Sequence, residues 1–151
     1  MSFQEKNVSV TLMSFSLILV IYLAGIWRML LGGGLNETGL FRLWGLVIVL
    51  AIVFTIAATI LTHILSAIIE AIRTGNEDPQ IEDIADERDK LIDLRGTKLT
   101  YALYSFGIFL AMLTFVLGQD PLVMFSLIIL ASLVAQISGD VSRLVLYRRG
   151  F

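Results

Sequence analysis

Leu43 to Ile69 reads LWGLVIVLAIVFTIAATILTHILSAII, 27 residues without one Asp, Glu, Lys or Arg. About 20 such residues cross roughly 30 Å of hydrocarbon as a helix rising 1.5 Å per residue. A buried helix of a soluble domain rarely keeps so long an uncharged run. In lipid every backbone amide needs an internal partner, so the run is expected to be helical. It exceeds one crossing, so it either tilts or projects beyond the bilayer near Glu70.

Working outward, three further runs have the same character. The expected spans are Val8–Leu31, Phe41–Ile72, Leu99–Leu117 and Pro121–Tyr147. Lys6 ahead of the first run gives it the look of a signal peptide. However, the apolar stretch outlasts the usual 7–15-residue core and no A-x-A site follows, so a retained helix is expected. Across the 151 residues 57% are hydrophobic and 16% charged, against about 25% charged in a soluble domain. The fold class expected is all-α: one integral membrane four-helix bundle over residues 1–151. No internal repeat is recognisable.

The connections sort themselves by turn chemistry. Gly32-Gly33-Gly34 opens a flexible first loop; it is no phosphate loop, because no G-K-[ST] follows. Asn36-Glu37-Thr38 has the form of a glycosylation sequon and matters only in a eukaryotic secretory pathway. Gly118-Gln119-Asp120-Pro121 combines a left-handed helix end, an N-cap and a first-turn proline, which predicts an antiparallel hairpin of the third and fourth helices.

Orientation follows from Lys and Arg. Nine flank the two termini and the second loop, whereas Arg28 and Arg42 alone lie on the other side. The richer side is the cytoplasmic one, so both termini are expected in the cytoplasm of a multi-pass cell-membrane protein. Tyr22, Trp27 and Trp44 then fall near the outer interface, Tyr101, Tyr104 and Tyr147 near the inner one.

The second loop, 76–97, holds eight of the 13 acidic residues. Asp78-Pro79 reads as a cap and first turn, and Gly96 as a helix stop. Between them Ile81, Ile84, Ala85, Leu91 and Ile92 share one face, with Arg88 and Arg95 inside it. That pattern suits an amphipathic interfacial helix whose arginines reach lipid headgroups. Glu82, Asp86, Asp89 and Asp93 form an acidic row on a neighbouring face, open to three readings: a solvated linker face, a docking face for a basic partner, or a divalent-cation site. The Asx/Gly pattern of a Ca²⁺ loop is missing.

Asp86-Glu87-Arg88-Asp89, followed by Leu91, Ile92, Leu94-Arg95-Gly96 and Tyr101, resembles the signature of an uncharacterised family of small prokaryotic four-helix membrane proteins. Those proteins carry an ERD…LRG loop before their third helix. The resemblance implies a prokaryotic source and a cytoplasmic membrane, with no activity to carry over.

Inside the spans a polar seam stands out. The second run places Thr55, Thr59, Thr62, His63, Ser66 and Glu70 within one sector. The fourth places Gln136 and Arg143 beside an Ala131-xxx-Ala135-xxx-Gly139 ladder, with Asp140 at the edge. Such ladders let helix backbones approach closely, and intramembrane polar groups normally face protein. The second and fourth helices are therefore expected to pair in two layers, Glu70 with Arg143 and His63 with Gln136. The seam reads either as register-fixing hydrogen bonds or as a proton relay through His63.

With no cysteine, disulfides and thiolate chemistry are excluded. The net charge of −2 gives no reason to expect nucleic acid. No catalytic constellation, cofactor or metal site is expected, so the chain reads as no enzyme. The expected role is a non-enzymatic accessory, regulatory or scaffold subunit acting through protein contacts. Membrane lipid and either a homo-oligomer or another membrane protein are its expected partners. A small proton or ion transporter, working as a homo-oligomer, is the alternative.

Overall fold

The computed structural model describes residues 3–74 and 87–149, of which several near the end of the second helix, His63, Ser66 and Glu70 among them, are described in backbone only. Four helices account for nearly all of it: α1 Phe3–Leu31, α2 Glu37–Thr74, α3 Glu87–Val116 and α4 Pro121–Arg149. Each is long and apolar enough to cross a membrane.

Chain reversal works as the turn chemistry predicts. At Gly118, φ is +82°. The Gly118 amide donates to the Phe115 carbonyl and the Gln119 amide to that of Thr114, at 3.0 and 3.1 Å. These two bonds close the end of α3 in the Schellman pattern. Asp120 Oδ1 then accepts from the Leu122 amide at 2.7 Å and caps α4 at Pro121. At the α1–α2 turn Gly33 and Gly34 take positive φ. There Asn36 caps α2 through the Gly39 amide at 2.7 Å.

α4 is the hub. It packs against α3 along its length and against α1 on another side, while α2 leans mainly on α1 and touches α4 lightly. The core lies where α1, α2 and α4 meet, around Ile18, Tyr22, Leu43, Val47, Ile129 and Leu133. Tyr22, expected in an interfacial belt, is instead fully buried, its hydroxyl donating to the Ser126 carbonyl at 2.7 Å. A buried phenol needs that partner. The outward faces stay apolar, with Phe106, Phe109, Met112 and Val116 all exposed on α3. Exposure of that kind suits lipid rather than water.

Two expectations are corrected here. Gly96 does not stop a helix: it lies inside α3, which runs unbroken from Glu87 through the apolar stretch. The described half of the expected interfacial helix is thus the first part of α3 itself. The Ala131–Ala135–Gly139 ladder does mark a close helix contact, but its partner is α3 rather than α2. A Cβ added to Gly107 would collide with that of Ala131, and one on Gly139 with the Thr100 hydroxyl.

Gly107→Leu and Gly139→Val should therefore force α3 off α4 and cost about 1–3 kcal/mol of stability each. Gly45→Ala, whose added Cβ meets nothing within 4 Å, should be near neutral. Unfolding in mixed detergent micelles reads the difference, and equal stability of all three variants would refute this packing.

Candidate functional site: a polar clamp between α3 and α4

Arg143, in the seventh turn of α4, has each nitrogen of its guanidinium bonded. Nε donates to Asp93 Oδ1 at 3.0 Å, Nη1 to Asp140 Oδ1 at 2.8 Å and Nη2 to Thr97 Oγ1 at 2.8 Å. Gln136 Nε2 adds bonds at 3.3 Å to both oxygens of Asp140. Gln136, Asp140 and Arg143 follow one another at four and three residues, so a single helical row carries all three.

The backbone makes room for this. Gly96 sits where a Cβ would stand 2.7 Å from Arg143 Nε. A glycine inside a helix costs about 1 kcal/mol relative to alanine; at this position it admits the arginine stem between the helices. Thr100 turns its hydroxyl back onto the Gly96 carbonyl at 3.1 Å, satisfying itself where Gly139 passes. Gly96-xxx-Thr100 and Gly107-xxx-Ala111 make α3 the counterpart of the α4 ladder.

Burial divides the two ion pairs. Arg143 and Asp140 side chains are 14% and 3% exposed, whereas Asp93 is 70% exposed. The Asp140 pair is thus shielded, and the Asp93 pair lies open at the rim. Among the described residues no buried side-chain nitrogen or oxygen lacks a partner. The clamp is chemically complete. It holds two helices together.

Gln136, Asp140 and Arg143 therefore do come together, joined by Asp93 and Thr97 of α3 rather than by α2. The expected Glu70–Arg143 and His63–Gln136 layers fall on side chains of α2, those of His63, Ser66 and Glu70, that lie outside the described residues.

Of the expected acidic row, half lies within the described residues. Glu82 and Asp86 lie outside the described residues. Asp89 and Asp93 share the face of α3 that carries Gly96 and turns toward α4. Of the two arginines expected among headgroups, Arg88 is exposed and donates to the Tyr147 carbonyl at 3.4 Å; Arg95 is exposed. Among the described residues no three His, Cys, Asp or Glu side chains gather to hold a metal ion.

On α2, Thr55 and Thr59 are exposed while Val47 and Ala58 are buried. At 100° per residue the face of Thr55, Thr59, His63 and Glu70 is turned about a third of a revolution from the one packed on α1. Both threonine hydroxyls bond to their own helix, at the carbonyls of Ala51 and Thr55. Comparison with family models, curated proteins and solved structures gives no match.

A double-mutant cycle separates the two ion pairs. Arg143→Ala should cost about 3 kcal/mol or more, because Asp140 is left buried without its counter-charge. Asp93→Ala should cost under about 1 kcal/mol, as exposed pairs do. Stabilities reversed in order would refute the clamp as described.

Proposed function

We propose that the chain is a non-enzymatic membrane subunit, an accessory or scaffold protein that docks another transmembrane helix on the uncovered face of α2. One observation carries this reading. The polar groups of α3 and α4 satisfy one another, whereas α2 presents a hydroxyl-bearing face that no described helix covers. Because Thr55 and Thr59 are already bonded to their own backbone, that face offers shape rather than free donors. A Thr55-xxx-Thr59 surface of this kind suits close helix approach. A second copy of the chain is its simplest occupant, since two such faces are self-complementary about a two-fold axis.

The setting proposed is the cytoplasmic membrane with both termini inside. The nine-to-two distribution of basic residues supports the orientation, and the ERD…LRG resemblance supports the compartment. The native chain has no cysteine, which makes the test clean. A photo-crosslinker attached at Thr55→Cys or Thr59→Cys should give, in native membranes, an adduct of twice the chain mass or one with another membrane protein. Phe109→Cys, on the outward face of α3, should give neither. Crosslinking no stronger at Thr59 than at Phe109 removes the proposal.

A transporter reading keeps one observation in its favour, the buried Asp140 carboxylate within a span, since intramembrane acids often serve ion pathways. In reconstituted vesicles it requires a proton leak that Asp140→Asn abolishes. A leak unaffected by that change, or none, leaves Asp140 purely structural.

A further inference from the structure

Where the first turns of α1 and α3 meet the last turns of α4, a crevice of about 340 Å³ opens beside the clamp, lined by Gln4 and Val8, by Asp89, Lys90 and Asp93, and by Arg143 and Tyr147. Its volume is within the range of about 300–1,000 Å³ common for small-ligand pockets. All three helices contribute residues close to their ends, so the crevice lies at the end of the bundle that holds both termini. In a membrane that is headgroup depth, and Tyr147, Arg148 and Arg149 form the aromatic and basic flank usual there.

The lining carries both signs of charge, and the clamp decides which groups are free. Arg143 is held at each of its three nitrogens by Asp93, Asp140 and Thr97 and its side chain is only 14% exposed, so it is poorly placed to meet an anion. Asp93 gives one oxygen to Arg143 and is 70% exposed. Asp89 is half-buried and accepts a hydrogen bond from the Tyr147 hydroxyl, which leaves its remaining lone pairs for a ligand. The two aspartates make a wall of hydrogen-bond acceptors, with the Gln4 amide beside them. Lys90, exposed on the same rim, is the cation left to meet an anion.

We propose that this crevice binds the headgroup of an ethanolamine phospholipid, the ammonium on Asp89, Asp93 and Gln4 and the phosphodiester on Lys90. A primary ammonium supplies three N–H donors to that wall. A choline group has none to give, and an anionic headgroup without an amine would meet Asp89 and Asp93 uncompensated. The acyl chains then follow the gap between α1 and α3, which pack on α4 rather than on each other. A lipid, rather than a soluble metabolite, is favoured because the crevice opens beside apolar helix faces.

The inference rests on the membrane reading but not on docking at α2. Its test uses the full chain in detergent micelles, titrated with ethanolamine, choline and glycerol phospholipids of identical acyl chains. Bound lipid is counted by native mass spectrometry. The ethanolamine lipid should be retained at least tenfold over the other two. Asp89→Asn should abolish that preference with the lipid-free melting temperature unchanged, and Lys90→Gln, at an exposed site, should weaken it severalfold.

Equal retention of the three lipids by the folded chain overturns the site, as does a preference untouched by both substitutions. Soluble glycerophosphoethanolamine competing as well as the lipid, mole for mole, overturns the assignment to a lipid. A chain that stays monodisperse in surfactant-free buffer defeats the membrane reading instead, so the two failures are distinguishable.

Discussion

A guanidinium held between apolar helices must have all its N–H groups bonded, because an unpaired charge in that setting costs several kcal/mol. Arg143 goes far to meet that requirement, with each of its three nitrogens bonded to a partner from α3 or α4, and much of the architecture follows from it. Asp93 must sit on the helical part of α3 that precedes the apolar stretch, at the rim where its carboxylate reaches Arg143. Gly96 must lack a Cβ. Gly139, one turn before Arg143, must let Thr100 pass. Each is a local demand made by one side chain, and together they fix the azimuth and register of α3 on α4.

Once α3 is placed, α4 has only part of its circumference left. α1 takes the side lined by Ser126, Ile129 and Leu133, where Tyr22 spends its hydroxyl on a carbonyl and its ring on the core. α2 then has α1 as its main support. It lays Leu43, Val47 and Ala58 inward and leaves Thr55 and Thr59 outward. The uncovered face of α2 is thus the consequence of a hub helix whose polar row is already claimed.

What was legible in the sequence was what depends on neighbours along the chain. The Gly118 end and the Asp120 cap each involve residues within five positions of one another, and both appear at the expected place. The α4 ladder was legible as a close-contact surface but not as to its partner. Which helix faces it depends on how α3 is rotated, and that rotation is set by Asp93 and Thr97 across about 50 residues of sequence. Gly96 misled for a related reason. A glycine after a charged stretch has the local look of a helix end, whereas its use is to admit a side chain from another helix. The signal that would have found it was the spacing Gly96, Thr100, Gly107 and Ala111 on α3, a second small-residue series matching the one on α4.

The charge on the clamp gives the terminal end its chemistry. Asp93 and Asp140 outnumber Arg143 by one, and the cluster keeps a surplus negative charge at its rim, on the oxygen of Asp93 that faces away from Arg143. Asp89, one turn earlier, adds to it, while Lys90 and Arg88 stand on either side. A rim built this way carries both signs of charge side by side, so an ammonium and a phosphate held a few ångströms apart answer it better than either alone. The arginine that joins α3 to α4 thereby also shapes the surface its neighbours present, because neutralising Arg143 from within leaves the surrounding acids free to act outward.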